Sequence, residues 1–182
     1  MISIRGDLIS LLTFPGLILR QAIHAMCCRV LGVRVLDIRF FRKNTPSAYV
    51  LHELPKDFRT SLMLVLGPLV MHSLLCLVVC LPALVPFRYY EDGFGSQEVF
   101  QVWLGLSIGI HAFPTWRDAD NLWDLTRQEA RGRGIAVRLT LPILLFLRLA
   151  RRLSNYGFDL AYATLIGIGI PLAILSRIFP NL

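Results

Sequence analysis

Long apolar runs, separated by short polar stretches, make up most of this chain. The clearest run is 60–86, TSLMLVLGPLVMHSLLCLVVCLPALVP. It exceeds the roughly 20 residues that a helix needs to cross a bilayer. An earlier run, LISLLTFPGLIL at 8–19, stops at Arg20 and is too short to cross alone. Pro15 suits the first turn of a helix and Gly32 the position just past its end. The pattern therefore predicts a helix over about 15–31 that carries a polar face into the membrane. Residues 98–113 read as a second span or half-span ending near His111 and Pro114. Residues 135–153 are apolar but punctuated by Arg138, Arg148, Arg151 and Arg152. Residues 158–179, rich in Gly and Ala, form a last span suited to close helix packing.

The segment 33–59 has another character. It alternates in part, is rich in Val, Ile, Phe and Tyr, and has a turn-like stretch at Asn44–Ser47. A short hairpin or two irregular strands at the membrane surface is the expectation. The polar stretch 87–97 carries Tyr89 and Tyr90, which suit an interfacial belt. Together these signals predict a single domain over 1–182: an all-α integral membrane protein with about four to five membrane helices. Its first membrane helix lies within 8–31, and a short β-hairpin-like surface segment follows.

Composition supports that class. Hydrophobic residues make up 55% and charged residues 17%, and the mean hydropathy is +0.59, more apolar than most soluble domains. The net charge is +7, and all but Lys43 and Lys56 of the 19 basic residues are arginine. With no nucleic-acid module in the chain, arginines at membrane edges, facing anionic lipid, are the better account. Six Lys and Arg fall in 32–59, one in 87–97 and five in 114–138. That bias predicts a multi-pass protein whose 33–59 loop is cytoplasmic. Three more in 148–157 conflict with a full crossing by 135–150, which is then tilted, re-entrant or interfacial. Cys27, Cys28, Cys76 and Cys80 all lie in apolar segments and read as buried free thiols rather than a disulfide scaffold. No cleavable signal peptide is expected, because Asp7 interrupts the start.

The residues able to carry chemistry are few. The four histidines are His24, His52, His72 and His111, three of them in or beside apolar segments. Ionisable groups at membrane depth point to function, although a neutral histidine bonded to a carbonyl is the bland alternative. In the tract GLSIGIHAFPTWRDADNLW, His111 and Asp118 lie seven apart, about two helical turns. Pro114 between them breaks that helix and can place the next turn inside the protein. Asp118 is then either a site carboxylate or, with Asp120, an ordinary helix cap. Asp120, Asp124 and Glu129 fit a solvated face.

A set of short motifs bears on function. These are PG-x3-RQ-x-x-H at 15–24, Gly32-Val33, Gly67-Pro68, and H-x-F-P-x-x-x-D at 111–118. In this order they resemble the site-2 protease family of intramembrane zinc metalloproteases, over roughly residues 12–125. The resemblance implies a zinc helix in which Arg20 stands at the first histidine and Gln21 at the catalytic glutamate. His24 stands at the second histidine and Asp118 at the distal aspartate ligand. Met71 takes the place of the polar residue expected after Gly67-Pro68, and His72 follows it. Arg20 cannot ligate a metal, because its guanidinium stays protonated. Gln21 cannot activate water as a base. His24 and Asp118 alone fall short of the usual three protein ligands, and His111 or His72 would have to supply the third.

Charge suggests another arrangement, in which Arg20 pairs with Asp118 and stands where the family's zinc would be. An arginine at the centre of a membrane helix costs about 2.5–3.5 kcal/mol, and a forked carboxylate partner relieves that cost. The expectation is a catalytically inactive family member, a pseudoprotease without a cofactor, that binds or scaffolds a membrane-protein partner in the lipid bilayer. One alternative is a divergent active zinc metalloprotease using His24, His111 and Asp118, with only Glu53 or Asp120 as candidate base. Another is a structural subunit of a membrane complex.

Overall fold

The computed structural model describes residues 11–40, 48–89, 95–130, 135–153 and 157–178. These are mostly helical, with one small antiparallel sheet. Helix α1 (Phe14–Val30) is followed by strands β1 (Val35–Arg39) and β2 (Tyr49–His52). Helices α2 (Phe58–Tyr89), α3 (Ser96–Ile110), α4 (Trp116–Ala130) and α5 (Ile135–Leu153) come next. The last rod is α6 (Phe158–Thr164), a π-helical turn (Leu165–Gly169) and α7 (Ile170–Ile178).

The ends of α1 follow from its sequence. Pro15 stands in its first turn, where a missing N–H leaves no hydrogen bond unmade. Gly32 takes a φ of 69°, the left-handed conformation open to glycine. The Gly32 N–H then bonds the Arg29 carbonyl, and the Val33 N–H bonds the Cys28 carbonyl. This pair of bonds closes the helix and turns the chain back. The strand that follows contacts α1.

The expected hairpin is present as two strands. Arg39 pairs with Tyr49, Ile38 with Val50 and Asp37 with Leu51; the register shifts before Val35 pairs with His52. The Tyr49 hydroxyl donates to Asp37 Oδ2 at 2.6 Å, locking the pair across the sheet. The turn expected at 44–47 and most of the polar stretch 87–97 lie outside the described residues.

Helix α2 is the central rod, packing on α1, α3, α4, the π turn and α7. It tolerates Pro68, Pro82 and Pro86 within one 32-residue helix. Small residues let its neighbours approach. At Gly105 a Cβ would run into Cys80 Sγ, and at Gly109 it would crowd Ala163 and Cys76. The same economy joins α1 to α3. The Gly16 N–H donates to Ser107 Oγ at 2.9 Å, and a Cβ on Gly16 would collide with the Ser107 carbonyl. A second cluster, with Phe58, Val65, Phe113, Leu122, Leu144 and Leu147 at its heart, ties α2 to α4 and α5.

Among the described residues, two helical stretches are long and apolar enough to cross a membrane, Phe58–Pro86 and Phe158–Ile178. They match the runs read at 60–86 and 158–179. The other segments of the four or five expected are shorter. Helix α3 has 15 residues, about 22 Å at 1.5 Å per residue, against the roughly 30 Å of a bilayer core. In α5 the apolar stretch is Thr140–Ala150, interrupted by Arg148. Outward faces are nevertheless greasy. Met63, Val70, Leu74 and Val78 form an exposed stripe on α2, and Leu145, Phe146 and Leu149 one on α5.

Gly16→Ala is expected to push α1 off α3 and destabilise the protein by about 1–3 kcal/mol, the usual range for overpacking. Thermal unfolding of the purified variant in detergent checks this. An unchanged midpoint would show that the helices do not meet as closely as described.

Candidate functional site

The site lies where α1, β2 and the first turn of α4 converge. His24 and Cys28 are one turn apart on the same face of α1 and are both buried. His52, the last residue of β2, is buried with 4% of its surface exposed. The hairpin brings it over α1, so that the His24 and His52 rings lie 5.0 Å apart between centroids. One metal-capable atom from each of His24, Cys28 and His52 falls within 4.8 Å of the other two.

Asp118 completes the group. Pro114 ends the α3 region, and Thr115 opens α4 by accepting the Asp118 N–H on its hydroxyl at 3.3 Å, as an N-cap does. The same hydroxyl donates to Asp118 Oδ2 at 2.5 Å. The cap is therefore Thr115 and not Asp118 or Asp120, and Asp118 sits in the first turn of α4. Its carboxylate, 3% exposed, faces His52 Nε2 at 3.1 Å and His24 Nε2 at 3.8 Å. Burial pushes the Asp118 carboxyl up, but hydrogen bonds from His52 and Thr115 outweigh it and hold it below the usual carboxylate range. His52 moves the opposite way. The Asp118 hydrogen bond raises it above the ordinary histidine value against the pull of burial, and the Glu53 carbonyl adds to the rise. Both directions have the His52–Asp118 hydrogen bond as a cause.

The other expected residues have different surroundings. The Arg20 guanidinium donates to the Phe113 carbonyl at 3.0 Å, while the groups facing the Asp118 carboxylate are the imidazoles of His52 and His24. His111 caps α3 and shares a 2.9 Å hydrogen bond with the Thr13 hydroxyl. His72 is fully buried, its Nδ1–H donating to the Pro68 carbonyl at 2.6 Å. Asp120 is exposed and pairs with Arg148 at 2.9 Å. Glu53 stands opposite Arg34, both side chains more than half exposed. Sequence reading had no means of placing His52 and Cys28. Neither belongs to a motif; Cys28 reaches His24 through the i, i+4 spacing of α1, and His52 only through the hairpin register and the turn after Gly32.

Beside this group is a groove of about 310 Å³, lined by Arg20, Gln21, His24, Ala48, Tyr49, Val50, Thr115 and Trp116. Gln21 is buried with 6% exposure. A carboxamide offers hydrogen bonds but no basic oxygen for deprotonating water. Comparison with protein-family models, curated proteins and solved structures finds no match for this chain.

Asp118→Asn removes the charge that holds His52 and weakens the acceptor facing Thr115. In chelator-treated protein it is expected to cost about 1.5–3 kcal/mol, the range for hydrogen bonds to charged groups. Thermal unfolding measures this, and wild-type stability in the variant would mean the carboxylate is not structurally engaged.

Proposed function

We propose that the protein is a multi-pass membrane protein of the site-2 protease type that has lost proteolysis and binds an unwound segment of a membrane partner in the groove. The observation that carries this reading is the lining of the groove. It holds a guanidinium, a carboxamide, an imidazole, a threonine hydroxyl and apolar or aromatic side chains, but no carboxylate to serve as base. The metalloprotease reaction requires such a base beside the metal.

The groove suits an extended segment. One wall is the strand residues Tyr49 and Val50, and across from them lies Trp116, 68% exposed. Strand edges bind extended chains through main-chain hydrogen bonds, with pockets for alternate side chains. Helices that show greasy outer faces on several sides are those expected of a protein surrounded by lipid. In this reading the basic 33–59 segment faces the cytoplasm and presents the groove to juxtamembrane stretches of the partner.

Metal-capable groups at the edge of the groove favour one competitor, a divergent hydrolase that uses His24 and Asp118. A photo-crosslinking residue placed at Trp116 separates the two. Binding predicts adducts with a membrane protein from that position and none from Leu145 on the outer face of α5. A co-expressed single-span test protein is expected to stay intact. Cleavage that stops in Asp118→Ala would overturn the binding reading in favour of the hydrolase.

A further inference from the structure

The geometry points to a closed, structural metal site for a zinc-class divalent ion, formed by His24, Cys28, His52 and Asp118. The inference stands apart from the proposed binding role, because it concerns what holds α1, the hairpin and α4 together rather than what enters the groove.

Donor chemistry comes first. Two imidazole nitrogens, one thiol sulfur and one carboxylate oxygen are a ligand set that zinc accepts at about 2.0–2.3 Å in a tetrahedron. Ligand atoms around such an ion stand about 3.3–3.7 Å from one another. Here Asp118 lies 3.1 Å from His52 and 3.8 Å from His24. The His24, Cys28 and His52 atoms lie within 4.8 Å of each other. Asp118 stands beside that three-residue group, and side-chain rotation about the ion is what brings its oxygen in as the fourth ligand.

The second observation is the orientation of His52. Its Nδ1 lies 2.8 Å from the Glu53 carbonyl. A carbonyl only accepts, so Nδ1 carries the hydrogen. Metal-binding histidines are commonly oriented in this way, one ring N–H given to a carbonyl and the other nitrogen left for the ion. His52 Nε2 is then aimed at a carboxylate, which is itself only an acceptor when ionised. Something positive has to sit between or on them, a proton or a metal.

Charge is the third. A divalent ion with one thiolate, one carboxylate and two neutral imidazoles sums to zero. A neutral cluster avoids most of the penalty of burying charge, and all four ligands are at least nine-tenths buried. Binding exchanges the Cys28 thiol proton, and any second proton on His52, for the ion. With four protein ligands the shell has no open position for water, which distinguishes structural from catalytic zinc.

The test uses the untagged full chain, purified in detergent, loaded with zinc or cobalt(II) and then dialysed. About one zinc per chain is expected by elemental analysis, as for a single four-ligand site. Cobalt is expected to give the visible bands of a tetrahedral site and a thiolate-to-cobalt charge-transfer band. Cys28→Ala removes the charge-transfer band, whereas Cys27→Ala keeps it, so a general loss of fold is told apart from loss of a ligand. Chelator is expected to lower the melting temperature of wild type but not of His52→Ala. Two results would overturn the proposal: wild-type protein that retains no more metal than the His24→Ala/His52→Ala double variant, or a charge-transfer band indifferent to Cys28→Ala.

Discussion

The buried carboxylate of Asp118 is the constraint to which the functional end of the molecule is built. A charge at 3% exposure is tolerated only with partners around it, and each of its partners comes from a different element. Thr115 belongs to its own helix start, His52 to the end of a strand and His24 to the middle of α1. The same atom group therefore caps α4, seats the hairpin and orients the polar face of α1. Local features serve that meeting. Gly32 turns the chain back toward α1, and Pro114 separates α3 from α4 so that Asp118 falls in the first turn of a new helix.

A second constraint operates at the other end, where helices touch through small residues. Gly16 on Ser107, Gly105 on Cys80 and Gly109 on Ala163 bring α1, α2, α3 and α6 to backbone distance. Close van der Waals contact and interhelical hydrogen bonds join these faces. The Gly16–Ser107 and Ser73–Tyr162 hydrogen bonds are of that kind. Rigid packing behind the site gives the groove a fixed wall in α1 against the more exposed hairpin.

Arg20 and Gln21 line the groove, and among the described residues that line it there is no carboxylate. One turn further along α1, the metal-capable groups continue from His24 to Cys28 and across to His52. The positive charge of Arg20 stays on the groove side and is bonded to the Phe113 carbonyl.

The helix at 14–30, its proline start and its glycine end, the long apolar rod after residue 58 and the paired strands after Gly32 were all legible in the sequence. Each rests on local rules: apolar run length, the fixed φ of proline and the left-handed freedom of glycine. His24 and Asp118 were also singled out from residue type and apolar context. The membership of the site was not legible. His52 reads as one histidine in an irregular loop and Cys28 as one thiol among four in apolar runs. Their selection depends on a strand register and on a helix turn 66 positions away from His52. Pairing of that kind is long-range, and no local pattern encodes which of four histidines a carboxylate will face. Sequence alone determined which residues were able to do chemistry; tertiary structure decided which of them meet, because a buried charge accepts only partners that the fold delivers to it.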